Sequence, residues 1–186
     1  MKEVLAIVGA LLAVAGNLPY LWDIVKGRVQ PHPYTWLVGA IVSSTVFFGI
    51  LAKGAGIGAL PIAVSAIFTS LIFLFSLKYG FKGITTTDKI FLGVALVGIV
   101  PWLYTSDPTL SIVIAVGIDV ASLVPTLRKT WAHPSTETPL LYGTNVVRHI
   151  LVLFSLQSYN IATTLHSIVM IITNTLMSVF ILVRRK

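Results

Sequence analysis

The chain's charges are confined to short intervals, and between them run seven apolar stretches, each about the twenty residues that a membrane-crossing helix needs. They lie near 3–25, 33–52, 57–78, 87–104, 108–128, 139–158 and 161–183. The breaks between them carry charge, Gly or Pro: Lys26-Gly27-Arg28, Lys53-Gly54, Gly80 to Asp88, Ser106-Asp107-Pro108, Arg128 to Glu137, and Ser158 to Asn160. Only 10% of the residues are charged and 56% are hydrophobic. A water-soluble domain carries about 25% charged residues, so lipid must be the solvent for much of this surface. Within a bilayer every backbone polar group needs an internal partner, which leaves helices or closed barrels. Barrel strands alternate in polarity over about ten residues; these runs do not. The expected fold is an all-α membrane protein with seven transmembrane helices.

The basic residues orient it. Seven crossings place Lys26, Arg28, Lys78, Lys82, Lys89, Arg128, Lys129, Arg184, Arg185 and Lys186 on one side, and only Lys2 and Lys53 on the other. Ten against two is the asymmetry of a cytoplasmic face. The N-terminus is therefore expected outside and the C-terminus inside, in a prokaryotic plasma membrane. Trp22, Tyr34, Trp36, Tyr79, Trp131 and Tyr142 would form the inner aromatic belt, and Trp102, Tyr104 and Tyr159 the outer one. Lys2, an apolar run and Ala13-Val14-Ala15 imitate a signal peptide. The apolar run continues past that cut, so the first stretch is read as a retained helix.

Several function classes fall away. Without cysteine there is no disulfide, thiolate metal site or cysteine nucleophile. The net charge of +7 sits at helix ends, and no basic stripe remains for nucleic acid. No metal-ligand spacing, nucleophile–base motif or phosphate loop is present. The expectation is a protein that is not an enzyme and uses no cofactor or metal. Its partners are a small-molecule solute and the lipid bilayer, with a homo-oligomer left open.

The prolines reveal an internal repeat. Pro19 and Pro125 are 106 residues apart, and so are Pro33 and Pro139, and Trp36 and Tyr142. An odd helix separates the halves, so both enter the membrane in the same sense, as parallel repeats with a pathway at their interface. The expected units are 1–82, a linker helix over 83–106, and 107–186. Pro19 and Pro125 each remove a backbone hydrogen bond near the inner end of a helix and make a hinge. Pro33 and Pro139 open the next helices. The set of four is read as a cytoplasmic gate, and Pro61 and Pro101 as plain kinks.

This 3+1+3 pattern, with a proline motif across helices 1–2 and again 5–6, resembles the SWEET transporters of the wider PQ-loop superfamily. Pro125-Thr126-Leu127-Arg128 followed by Ser135-Thr136-Glu137 is similar to that family's Pro-Thr-Phe…Ser-Thr-Glu-Gly run. Pro33-Tyr34 through Phe47-Phe48-Gly49 resembles its second helix. The resemblance implies passive or ion-coupled movement of a small solute by rocking of the two units, with Pro19, Pro33, Pro125 and Pro139 as gate prolines. It also implies substrate binding by Asn174, with Ser70 in place of the partner asparagine of helix 3. The family's sugar-stacking tryptophans fall on or near Ser44 and Ile150, and Tyr20 and Thr126 replace its glutamine.

Polar groups inside a membrane are costly and therefore informative. Asn174 lies ten residues before Arg184, about 15 Å from the inner face at 1.5 Å per residue. Its amide suits hydroxyls, amides or carboxylates, or an interhelical bond. Asp119 and Arg148 both stand about 13 Å from that face and are expected to pair, as a lock between helices 5 and 6 or as a proton site. Asn17, Ser43, Ser44, Thr45, Ser65, Ser122 and Asn145 are further candidates to line a path, and His166 is read as an interhelical donor. Asn174, Ser70, Asn145 and Ser44 form the candidate binding set. The leading expectation is alternating-access transport of a small polar solute, sugar-like or another small metabolite. The alternatives are a ligand-binding seven-helix receptor of the same fold, using Arg148 to hold a carboxylate, and a proton-coupled amino-acid or vitamin transporter.

Overall fold

The protein, seen in a computed structural model, is described over residues 1–104 and 107–185, with side chains described outside positions 95 and 98–103. Pro101, Trp102, Ser106 and Lys186, assigned roles above, lie outside these described side chains and residues. Seven α-helices occur among the described residues, with no strand among them: α1 (Lys2–Val25), α2 (Pro33–Ala52), α3 (Leu60–Tyr79), α4 (Thr86–Tyr104), α5 (Pro108–Ala132), α6 (Pro139–Ser155) and α7 (Ile161–Arg184). Short 3-10 turns lie at Gly56–Ala59 and Pro134–Thr136.

Local chemistry sets the helix ends. Pro33, Pro108 and Pro139 stand at the first helical position, where a missing N–H costs nothing. The Asp107 and Thr138 side chains cap α5 and α6, and Asn160 and Thr163 form a reciprocal capping box on α7. Past α1, Gly27 has φ 70°, the left-handed turn that ends a helix without a Cβ penalty.

Five of these helices are long and apolar enough to cross a membrane: α1, α2, α3 with its preceding turn, α5 and α7. The chain is thus an all-helical protein with membrane-spanning character. Two limits differ from the sequence expectation. Helix α6 has 17 residues and stops at Ser155, because the chain turns there and the Gln157 N–H bonds Ala55 O at 3.3 Å. Helix α5 runs on to Ala132 because Lys129 and Thr130 are buried in the fold, so Arg128 is not its end.

Helix α3 packs against both α1 and α2, and α7 against both α5 and α6. Between these groups α1 packs on α6 and α2 on α5, while α4 lies chiefly along α5. Burial repeats along the chain. Ala6, Gly9, Gly16, Tyr20 and Ile24 are buried on α1, and so, 106 residues on, are Ile112, Ala115, Ser122, Thr126 and Thr130. The same spacing relates Val42, Val46 and Ile50 to Arg148, Val152 and Leu156. On the third helix of each group the spacing is 105: Pro61, Ile62, Thr69, Ile72 and Ser76 match His166, Ser167, Asn174, Met177 and Ile181.

A core of Val42, Val46, Ile50, Ile62, Ile112 and Val152 fills one half of the bundle, and Tyr20, Ile24, Ile72 and Leu141 fill the other. Leu11, Leu18, Phe48, Ile67, Leu74, Leu176 and Val183 point outward and are exposed. A surface this apolar is suited to lipid rather than water.

Candidate functional site

Between the two helix groups lies a cavity of about 110 Å³. The first group contributes Thr35, Trp36, Gly39 and Ser43 from α2, and Ser65 and Thr69 from α3. The second contributes Asp119 from α5, Tyr142, Asn145, Arg148 and His149 from α6, and His166, Thr173 and Asn174 from α7. Leu123, Leu141, Met170 and Met177 supply apolar wall. Polar side chains thus converge from both groups in the middle of an apolar bundle.

Asn174 and Asn145, both in the candidate binding set, line this cavity. Asn174 Nδ2 donates to Met170 O, on its own helix, at 2.8 Å. Ser44 and Ser70 do not reach the cavity. They line clefts on the outer side of α2 and α3, and each hydroxyl donates to its own helix, Ser44 to Ala40 O and Ser70 to Ala66 O. Their places are taken by Ser43 and Thr69, one position earlier. A single residue turns a helix by about 100°, so that step moves a hydroxyl from the outer face to the inner one. The burial spacing agrees, since Thr69 and not Ser70 is the counterpart of Asn174.

The expected ion pair between Asp119 and Arg148 is not formed. Helix α7 packs on both α5 and α6 and holds the two apart. The buried Arg148 instead donates from Nε to Asn145 Oδ1 at 3.2 Å and from NH1 to Pro61 O at 3.5 Å. Its NH2 is 2.7 Å from His149 Nε2, and His149 Nδ1 is 3.2 Å from Ser167 Oγ. That chain assigns Nε2 as acceptor and Nδ1 as the protonated nitrogen of a neutral imidazole. The His166 ring stands edge-on to His149, with centroids 5.3 Å apart, and its buried Nδ1 has no hydrogen-bond partner. The Asp119 carboxylate accepts no hydrogen bond among the described residues; only its backbone oxygen is used, by Ser122 Oγ at 2.8 Å.

The aromatic pair Trp36 and Tyr142 lines the cavity. Trp36 lies 5.5 Å from the Tyr20 ring, and its buried Nε1 is unpartnered. Their shared 106-residue spacing was the signal, because positions related by a repeat at an interface face the same space.

Both ends of the cavity are tied across the two groups. At the end rich in basic residues, Tyr20 donates to Glu137 at 3.0 Å, and Lys129 Nζ reaches Glu137 at 2.5 Å and Gln30 O at 2.6 Å. Lys129 and Glu137 have no exposed side-chain surface. The Gln30 N–H donates to Thr136 O at 3.1 Å. Thr126 donates to Thr35, which donates to Ser122 O. At the opposite end, Lys2 Nζ donates to Leu156 O at 2.6 Å and Asn160 Nδ2 to Lys53 O at 3.3 Å. The four prolines expected to form a gate are unequal: Pro125 is buried and Pro19 exposed, while Pro33 and Pro139 open their helices.

Beside the basic end, His32 is fully buried 3.3 Å from Asp88 Oδ2, without the alignment of a hydrogen bond. Asp88 is already held by Arg128 at 2.9 and 2.5 Å and by the Thr85 N–H at 2.8 Å. Burial outweighs the Asp88 carboxylate and lowers the imidazole's proton affinity, with Lys129 and Arg128 adding to the effect. The folded state therefore takes up this proton at lower pH than the unfolded chain. Its contribution is whole above the usual histidine value near 6.5 and is lost as pH falls from there through the lower folded value. In detergent, thermal stability should fall from pH 7 to pH 5, and His32→Gln should flatten that limb by up to about 1.4 kcal/mol per pH unit. An unchanged slope in the variant would remove His32 from the account.

Among the described residues no group of three or more His, Asp or Glu side chains is placed to hold a metal ion. A scan against protein-family models and searches of curated proteins and of solved structures found no match to this chain.

Proposed function

We propose that this protein is a seven-span transporter that carries a small polar solute across a membrane by alternating access between two parallel three-helix units. The units are α1–α3 and α5–α7, with α4 as linker, in the 3+1+3 arrangement that the SWEET resemblance implies. The observation that carries the reading is the position of the cavity. It is an open space lined by polar side chains of both units, and separate sets of contacts tie the units together on either side of it. Release of one set while the other holds would open the space to one side at a time. The repeated burial pattern supports two units of like shape, which is what rocking about a shared interface requires. With the basic end cytoplasmic, the bonds around Glu137 form the inner gate.

The absence of cysteine makes the test clean. Gln30 and Thr136 are joined backbone to backbone at 3.1 Å, and Ala55 and Gln157 at 3.3 Å, so each pair is a place to engineer a cross-link between the units. Gln30→Cys with Thr136→Cys seals one end, and Ala55→Cys with Gln157→Cys the other. In proteoliposomes, uptake from a panel of labelled amino acids, sugars and vitamins should stop on oxidation of either pair and return on reduction. Flux that persists with one end sealed would refute alternating access. Saturable binding with no flux in the wild type would favour a receptor.

A further inference from the structure

Among the described residues, Arg148 is buried at 3% exposure with no carboxylate against it, and Asp119 opens onto the same cavity with no cation against it. An uncompensated charge in a membrane interior costs several kcal/mol. Here two such charges of opposite sign share one space without neutralising each other. Arg148 uses three of its five N–H groups on Asn145, Pro61 and His149, which leaves two for a further acceptor. None of those three partners is an anion, and His149 is held as the neutral acceptor, so the positive charge stays unbalanced.

A guest with a single charge would satisfy one of these residues and leave the other bare. A guest that carries both charges, separated, satisfies both. Resting on the transport reading above, we infer that the cavity is a site for a small zwitterion of the α-amino-acid type. Arg148 binds the carboxylate as a fork of N–H donors, and Asp119 binds the ammonium. His166, whose Nδ1 is unpartnered, and Asn174 line the same cavity from α7.

Size selects within that class. An apolar cavity of about 150 Å³ takes one benzene; by proportion about 110 Å³ takes a guest of roughly four to five non-hydrogen atoms. Glycine lies in that range, alanine exceeds it by about one atom, and a hexose is more than about twice too large. The site also adds no net charge to the bilayer when filled, because the guest's two charges are each matched.

Thermal unfolding of the purified chain in detergent tests this with four probes at about 10 mM, a concentration at which a site of millimolar affinity gives a measurable shift. The probes are alanine, propionate (carboxylate only), alaninamide (ammonium only) and glucose. Alanine should raise the midpoint, and the other three should not. Arg148→Gln and Asp119→Asn should each weaken alanine binding roughly thirtyfold or more, as loss of one partner of a buried charge pair does. Propionate equal to alanine would exclude Asp119 from the site. A shift with glucose alone, or with none of the four, would overturn the proposal. The probe comparison uses the wild type, so it decides even if a variant fails to fold. Labelled alanine in proteoliposomes separates the two readings. Binding without uptake leaves the zwitterion site standing and sinks transport, whereas glucose uptake without alanine binding does the reverse.

Discussion

Glu137→Gln should lower the thermal midpoint of the protein in detergent by about 6–20 °C. Among the described residues Glu137 is the one carboxylate on the buried Lys129, and both side chains are fully enclosed at the end of α5. Removing one member of such a pair leaves an ammonium without its counter-charge, at a cost of about 3–5 kcal/mol. For a chain of this length each kcal/mol moves the midpoint by about 2–4 °C. Tyr20 loses an anionic acceptor in the same step. The double variant Lys129→Met, Glu137→Leu removes both charges and should recover most of the loss, since apolar replacement of a buried pair is often neutral. A drop of under 2 °C for Glu137→Gln, by the same conversion, would mean that water reaches Lys129 and that the pair is not enclosed.

Gly16→Val should act on both stability and movement. A Cβ at Gly16 would stand 3.1 Å from Thr144 Cβ and nearer still to its hydroxyl. Thr144 cannot swing away freely, because it donates to Leu140 O and Leu141 O on its own helix. Helix α1 packs with α3 and α6 with α7, so a branched side chain here pries these two helix groups apart rather than disturbing one of them. Overpacking of this kind costs about 1–3 kcal/mol, or about 2–12 °C in the midpoint. Under the transport reading, uptake should fall further than stability does, because the wedge holds the units at the wrong spacing. Adding Thr144→Ala should restore part of both. A Gly16→Val protein with wild-type midpoint and uptake would show that α1 and α6 do not meet there.

The sequence carried depth well and direction poorly. Pro33, Pro108 and Pro139 announced helix starts because their missing N–H suits only that position. Counting at a fixed rise from charged ends put Asn174, Asp119 and Arg148 at similar depth, and all three border one cavity. The angle around each helix was another matter. Ser70 and Thr69, or Ser44 and Ser43, differ by one step in the chain and by about 100° in space, and composition does not say which side a neighbour occupies. The unmade Asp119–Arg148 pair has the same origin: helices consecutive in sequence are here separated by α7. Lys129 and Glu137 read as loop charges at an interface, and nothing local to either residue signals that the Tyr20 ring and the Gln30 carbonyl enclose them. Within the 106-residue period, however, lay a usable clue to Trp36 and Tyr142.

The contacts at the two ends of the cavity differ in kind. Around Glu137 oppositely charged side chains meet in enclosed space, with Arg185 also reaching its backbone oxygen; near Leu156 the acceptors are backbone carbonyls, and Gly58 lies close against the chain. Tyr20, Lys129 and Arg185 thus converge on the one residue Glu137, whereas at the far end Lys2 and Asn160 each have their own acceptor. A change at Glu137 therefore reaches several links at once, and a change at the far end reaches one.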